Sequence, residues 1–383
     1  MTGQSRRQTH RRATRSLSGG MTLIEIVVAT ALSLVVLTAI TFAYLSMRTS
    51  QRYGTELAQI QGNGRVALEQ LGRDVRQAGF IGCNSALTRH VDPRAWETTV
   101  IPVDPAVAAS TTNFTIDAQS AIRAFLGNAD AATWGIAAPD SPVANSHVIE
   151  VRYASLDGAT RLAGPLSANR LTLTTMGTFE PSRNDAKPQS ANRLGLLSDC
   201  QSAVIISTES VSAGQVQLDS SRPLTGARCG HASRVGSGCI YWPSTTLYPI
   251  RVVQYYVANV TIDGIAQRAL MMRTLRMDSG TVAWETPRQV LVGATSLMVT
   301  GLGLDNVHAA NSDPSFSTRR QLDELTDGVN FLPAYTSTEW QRVVRVDVRL
   351  RMQPSKGNQA GDAPVIRNFE SSFTIRSRVT VDP

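Results

Sequence analysis

The chain has 383 residues and a formal net charge of +7, from 37 lysines and arginines against 30 aspartates and glutamates. That length holds one large domain or two smaller ones. Five arginines (Arg6, Arg7, Arg11, Arg12, Arg15) and no acid stand in residues 1–20, so the +7 falls by five to +2 without them, which removes bulk charge as an argument for a nucleic-acid partner. The remaining arginines are scattered, many at every second position of strand-like runs. They are expected on a solvated sheet face, and nucleic acid is not an expected partner.

The first element is an apolar run. From Met21 to Met47 the one charged side chain is Glu25, and there is neither proline nor glycine. The run exceeds the ~20 residues that an α-helix needs to cross a bilayer. Residues 21–48 are therefore expected to form one membrane-spanning helix. The basic segment before it places the N-terminus in the cytoplasm and everything after Arg48 outside. A charge at the centre of a spanning helix costs roughly 2.5–3.5 kcal/mol on the mildest scale. Glu25 lies near the cytoplasmic end, where the cost is smaller, but a plain anchor would carry an apolar residue there. Gly19-Gly20 precede the run, whereas the small residues of a secretory cleavage site come after it. Cleavage at this pair would remove the basic leader and keep the helix. The competing reading is a plain signal anchor with a chance glutamate.

Beyond the span, Tyr53, Leu57, Ile60, Gly64, Ala67, Leu71, Val75 and Ala78 recur at helical spacing with charged and amide residues between them. This predicts an amphipathic continuation of the helix over residues 49–79. Gly62-Asn63-Gly64 is the expected bend, since each glycine costs about 1 kcal/mol in a helix. Gly79 is the expected stop. A helix from Thr22 to Ala78 would be roughly 85 Å long at 1.5 Å per residue.

Residues 84–145 read as loops with weak strands such as Asn113–Asp117. Strands are expected at His147–Ala154, Leu171–Thr175, Ala203–Thr208, Val216–Leu218, Ile250–Asn259, Arg268–Arg276 and Gln289–Leu304. Arg183–Asn192 is expected as an exposed loop and Arg319–Leu325 as a short helix. In Trp340–Leu350, Val344, Val346, Val348 and Leu350 fall on one face, with Arg345, Asp347 and Arg349 on the other. Phe369–Val381 is the expected last strand. Strands joined by turns, with no helical pattern between them, predict an antiparallel sheet with the helix on one face.

The four cysteines, Cys83, Cys200, Cys229 and Cys239, form an even set beyond an export segment, which predicts disulfides. Three pairings are possible. Cys229–Cys239, closing a Gly/Ser-rich loop, and Cys83–Cys200, tying the helix end to the sheet domain, are favoured. A zinc site at Cys229, His231, Cys239 and one more ligand is the alternative, without the paired C-x-x-C of structural zinc sites.

No catalytic constellation is present: there is no G-x-x-x-x-G-K-[ST], H-E-x-x-H or G-x-S-x-G. His147 opens a strand and reads as a packed or surface residue. The acidic group Asp323, Glu324 and Asp327 lacks the spacing of a calcium loop. Trp242, Tyr255, Tyr256 and Trp284 read as packing residues. The expectation is a protein that is not an enzyme, with no catalytic residue, metal or cofactor.

The segment Gly20-Met21-Thr22-Leu23-Ile24-Glu25 resembles the class III leader of type IV pilins and pseudopilins, with Met21 where phenylalanine is usual. The runs Asn63-Gly64-Arg65-Val66-Ala67-Leu68-Glu69 and Asp74-Val75-Arg76-Gln77-Ala78-Gly79-Phe80-Ile81-Gly82-Cys83 resemble the PilW-like minor pilins. So, less closely, do the Trp340-led strand and the closing Phe369 strand. The resemblance covers residues 19–83 and 340–381. It implies cleavage by prepilin peptidase after Gly20, methylation of the new amino group of Met21, and a Glu25 carboxylate that meets the N-terminal ammonium of a neighbouring subunit. It implies a type IV pilin-like α+β fold: a long N-terminal helix, transmembrane then amphipathic, on an antiparallel β-sheet headpiece with long loop insertions. The expected organisation is a cleaved leader (1–20), a transmembrane or filament-core helix (21–48), its amphipathic continuation (49–79) and an extracytoplasmic headpiece (80–383).

The function this implies is minor-pilin action in pilus assembly and priming, in a tip complex, with twitching motility and adhesion as the attached processes. The implied partners are other minor pilins, the major pilin, prepilin peptidase and the inner-membrane assembly platform. The implied location is the inner membrane, single-pass with the N-terminus inside and the headpiece in the periplasm, and then the pilus at the cell surface. The alternatives are a type II secretion pseudopilin, or a tip adhesin or DNA-binding minor pilin.

Overall fold

The computed structural model describes residues 22–82, 99–101, 114–116, 121–127, 142–164, 170–174, 193–198, 203–212, 214–218, 245–262, 264–278, 281–304, 318–321, 340, 343–354 and 366–378. The chain forms two compact units, Met1–Ala58 and Gln59–Pro383. One long N-terminal helix and antiparallel sheets make an α+β layout.

Helix α1 runs unbroken over Leu23–Gln77. The helix continues through Gly62–Gly64, where a bend was expected. Gly64 lets the helix approach the sheet, because a Cβ there would lie 2.8 Å from the ring of Phe369. The helix ends as expected at Gly79, whose φ of 69° suits glycine. In the second unit the buried face is Ile60, Gly64, Ala67, Leu68, Leu71, Gly72 and Val75. Tyr53, expected in this stripe, is exposed.

The strands, in chain order, are β1 (Thr99–Ile101), β2 (Phe114–Ile116), β3 (Ile122–Leu126), β4 (His147–Ala154), β5 (Thr160–Arg161), β6 (Arg170–Thr172), β7 (Arg193–Ser198), β8 (Ala203–Ser212), β9 (Gln215–Leu218), β10 (Thr246–Ile262), β11 (Ile265–Asp278), β12 (Thr281–Trp284), β13 (Arg288–Val292), β14 (Ala294–Leu304), β15 (Thr318–Gln321), β16 (Val343–Met352) and β17 (Arg367–Thr374). β1 and β2 pair alone, and the main sheet runs β12-β11-β10-β7-β8-β9-β6, with β13 on β11 and with β4 and β5 on β10. A second sheet has the order β15-β14-β16-β17.

The 17-residue β10 is the spine of the main sheet. Its start pairs with β5 and β7, and its later part with β4 and β11. The β10–β11 hairpin closes with Ile262 opposite Ile265, and Gly264 at φ 76° supplies the left-handed turn position. The single run expected at Gln289–Leu304 is two strands. Gly293, at φ 87°, divides them, and the chain there passes from the main sheet to the second one. Arg319 and Arg320 lie in β15 rather than in the expected helix, where pairing with β14 overrides local propensity. β3, β5, β7 and β12 are strands that periodicity did not predict. None exceeds 6 residues, too few for an alternation to stand out.

The largest core joins the buried helix face to β4, β10, β11, β14, β16 and β17 through residues such as Leu71, Val75, Tyr255, Leu297, Val348 and Phe373. A smaller core of leucines, Ile206 and Val216 holds β6 to β9 and the start of β10. A third cluster, including Phe125, Val148, Tyr256 and Met271, lies on β3, β4, β10 and β11. Both faces of β4 are therefore covered: all eight of its positions are buried.

Candidate functional site

The first unit contributes an apolar helix with a polar cap. Every residue from Thr22 to Thr55 is exposed, including Leu23, Ile24, Leu32, Val35 and Phe42. The helix is long and apolar enough to cross a membrane. Its hydroxyls are satisfied within the helix: Ser33 donates to the carbonyl of Ala29 (2.7 Å), Thr38 to that of Leu34 (2.7 Å) and Thr41 to that of Leu37 (2.7 Å). Such internal bonds remove the polar groups that would be costly in hydrocarbon.

At the start, Thr22-Leu23-Ile24-Glu25 forms a capping box. The Thr22 backbone N–H donates to Glu25 Oε2 (3.0 Å), as does the Thr22 hydroxyl (3.1 Å), and the Glu25 N–H donates back to Thr22 Oγ1 (3.4 Å). The one carboxylate of the apolar run thus stands at the positive end of the helix dipole, satisfied by its own turn. Gly20 and Met21 lie outside the described residues. So do Cys83, Cys200, Cys229 and Cys239, and with them both favoured pairings and the zinc alternative.

The second unit fixes the helix to the sheets with polar contacts. Asp74, beyond the apolar run, accepts the hydroxyl of Tyr255 at 2.6 Å and that of Tyr153 at 3.1 Å. Burial raises the pKa of Asp74 above the usual carboxylate value, and the two tyrosine bonds with the charges of Arg251 and Arg288 only partly oppose it. Both phenols are pushed up, first by burial and then by the Asp74 charge, so they stay protonated and donate. At the helix end the Ser377 hydroxyl donates to the Ala78 carbonyl at 2.6 Å, and Arg76 lies over the Phe373 ring.

The arginines expected on a solvated face are in part buried, which corrects that expectation. Cross-strand register places Arg123, Glu150, Gln254 and Arg273 in one row over β3, β4, β10 and β11. Arg152 Nε donates to Glu150 Oε1 at 2.8 Å, Gln254 Nε2 to Glu150 Oε2 at 2.6 Å, and Arg273 Nε to Gln254 Oε1 at 2.8 Å. Arg273 stacks 4.5 Å over the Trp284 ring and 5.6 Å from that of Tyr256. Burial alone would raise the pKa of Glu150, but Arg152, the Gln254 bond and Arg123 outweigh it and hold it low. The row was readable in principle: Glu150, Arg152 and Gln254 interrupt otherwise apolar, β-branched runs.

His147 is buried, and its Nδ1 accepts the Val299 N–H at 2.9 Å. Burial lowers its pKa to about 4, so it is neutral, and its bond to Val299 joins the main sheet to β14. Among the described residues no three His, Cys, Asp or Glu side chains gather as a metal site. Trp242 and the Asp323, Glu324 and Asp327 group lie outside the described residues.

Comparison with protein-family models, curated proteins and solved structures finds no match.

Proposed function

We propose that this protein is a PilW-like minor pilin that enters a type IV filament after prepilin peptidase removes residues 1–20. The observation that carries the reading is the start of α1: an exposed apolar stretch, up to Met47, whose one carboxylate, Glu25, sits in the first turn of the helix, shortly after Gly19-Gly20. In this reading the chain waits in the inner membrane with its N-terminus in the cytoplasm and its β domain in the periplasm. The apolar surface then leaves lipid for a bundle of like helices, so its hydrophobic burial is kept throughout. The Glu25 carboxylate meets the methylated ammonium of Met21 on a neighbouring chain, and this charge pairing offsets the desolvation of both groups. The β domain makes lateral contacts with other minor pilins and the major pilin, as a priming or tip component. A type II secretion pseudopilin would share each of these steps.

The test is intact mass with N-terminal sequencing of the chain from its native membrane. A start at N-methylated Met21 supports the reading. A start at Met1 overturns it and leaves a signal-anchored protein. In processed material, Glu25→Val should keep cleavage and lose incorporation into filaments; normal incorporation would remove the carboxylate from the assembly step.

A further inference from the structure

The β domain carries a cleft of ≈ 670 Å³ whose lining includes Arg268, Arg351, Asn145, Asn259, Gln267 and Gln353. Its frame is built where the main sheet hands the chain to the second one. Asn259 lies directly opposite Arg268 in the β10–β11 ladder, and Ser296 opposite Arg351 in the β14–β16 ladder. Gly293 ties the two ladders together: its N–H donates to the Arg268 carbonyl at 2.8 Å, and its carbonyl accepts the Gln353 N–H at 2.8 Å. Arg268 Nη1 donates to the Thr295 carbonyl at 3.4 Å, and Thr295 Oγ1 donates to the Arg351 carbonyl at 3.1 Å. Both arginines are exposed. Among the described residues no carboxylate lines the cleft or pairs with either of them.

These features select a ligand class. The volume falls within the range of roughly 300–1,000 Å³ of small-molecule sites. Two guanidiniums with no carboxylate beside them among the described residues favour a carboxylate or another anion. Side-chain amides and hydroxyls donate and accept at once, which suits a ligand dense in hydroxyl groups. No aromatic ring is among the described lining residues, so stacking of a nucleobase is not provided for. Val143, Ala266 and Ile366 add apolar surface on which the faces of sugar rings can rest.

We propose that this cleft binds a short acidic oligosaccharide, its carboxylates held by Arg268 and Arg351 and its hydroxyls by the amide wall. The site does not depend on the assembly reading, because a chain that begins at Met1 carries it equally.

The test is a calorimetric titration of the full chain in detergent micelles with the trisaccharide of galacturonic acid. Saturable binding is expected, with Arg268→Gln and Arg351→Gln each weakening it by about tenfold or more, the loss of one charge-assisted bond. Neutral maltotriose should not saturate at the same concentrations, and Arg170→Gln, on the distant β6, should bind normally. Asn259→Trp fills the cleft without changing charge and should abolish binding, which keeps the test readable if an arginine variant fails to fold. Binding that survives both arginine variants, or the absence of saturable binding at millimolar trisaccharide, overturns the proposal. Equal binding of triglutamate also overturns it, and assigns the cleft to acidic peptides.

Discussion

The two stretches of α1 have the same secondary structure and opposite surroundings. From Thr22 to Thr55 the helix is exposed on every side, although most of its side chains up to Met47 are apolar. From Ile60 to Val75 one stripe is buried in the core of the β domain, and two of its seven buried positions are glycines. The difference lies in what each stretch needs for a solvent. An all-round apolar surface is stable only where lipid or other apolar helices surround it. A stripe with a charged back is stable on a sheet in water. The glycines mark the second case, because Phe369 and Phe373 of β17 occupy the space that a Cβ would take at Gly64 and Gly72.

If the β domain is a closed unit with its charges paired, the largest effect should come from its buried polar row. Glu150→Gln should cost about 3–5 kcal/mol in denaturant unfolding of the domain, because it leaves buried guanidiniums uncompensated. A cost below about 1 kcal/mol would mean that water reaches the row.

The next effect is one of pH. His147 is held neutral, its pKa lowered from 6.5 to about 4, so the unfolded chain binds the proton first. Its contribution, about 3 kcal/mol, is complete above pH 6.5 and is lost as the pH falls towards 4. Asp74 acts with the opposite sign: its raised pKa favours the folded state as it takes up a proton. The thermal midpoint should therefore drop between pH 6.5 and 4, and His147→Gln should flatten the drop. An equal drop in that variant would assign it to other groups.

Within the helix, glycine substitutions should separate the two environments by sign. Gly72→Leu should destabilise by about 1–3 kcal/mol through overpacking against Phe373. Gly62→Ala, on the exposed side of the same stretch with nothing within 4 Å, should stabilise by up to about 1 kcal/mol. Denaturant midpoints of the two variants check this. The smallest effect on the β domain should come from Thr22→Ala. It removes the side-chain half of the capping box, worth about 1 kcal/mol locally, and should leave the unfolding midpoint of the domain unchanged. A shifted midpoint would show that the two units are energetically coupled.

Much of this was legible because it depends on local pattern. The uninterrupted apolar run with its one carboxylate at Glu25, the stripe at Ile60, Ala67, Leu71 and Val75, and the stop at Gly79 are matters of spacing along one helix. The limits of β4, His147–Ala154, come from its composition. Other features depend on what comes to face a residue across the fold. Gly64 reads as a bend until the ring of Phe369, some 300 residues later, is placed against it. Arg152 and Arg273 read as solvated until register aligns them with Glu150 and Gln254. The 670 Å³ cleft has no signature at all, because its walls come from separate strands that meet at Gly293.

The sequence by itself determined the long helix, the position of the one carboxylate in its apolar run and the antiparallel β character of the described residues beyond the helix. Those are set by hydrophobic period, capping chemistry and turn residues, which act within a few positions of each other. Only the tertiary structure decided which polar side chains are buried, which glycines are contacts and where the sheets meet. Those outcomes depend on the free energy of burying groups against partners hundreds of residues away, and short-range pattern carries no record of that partner.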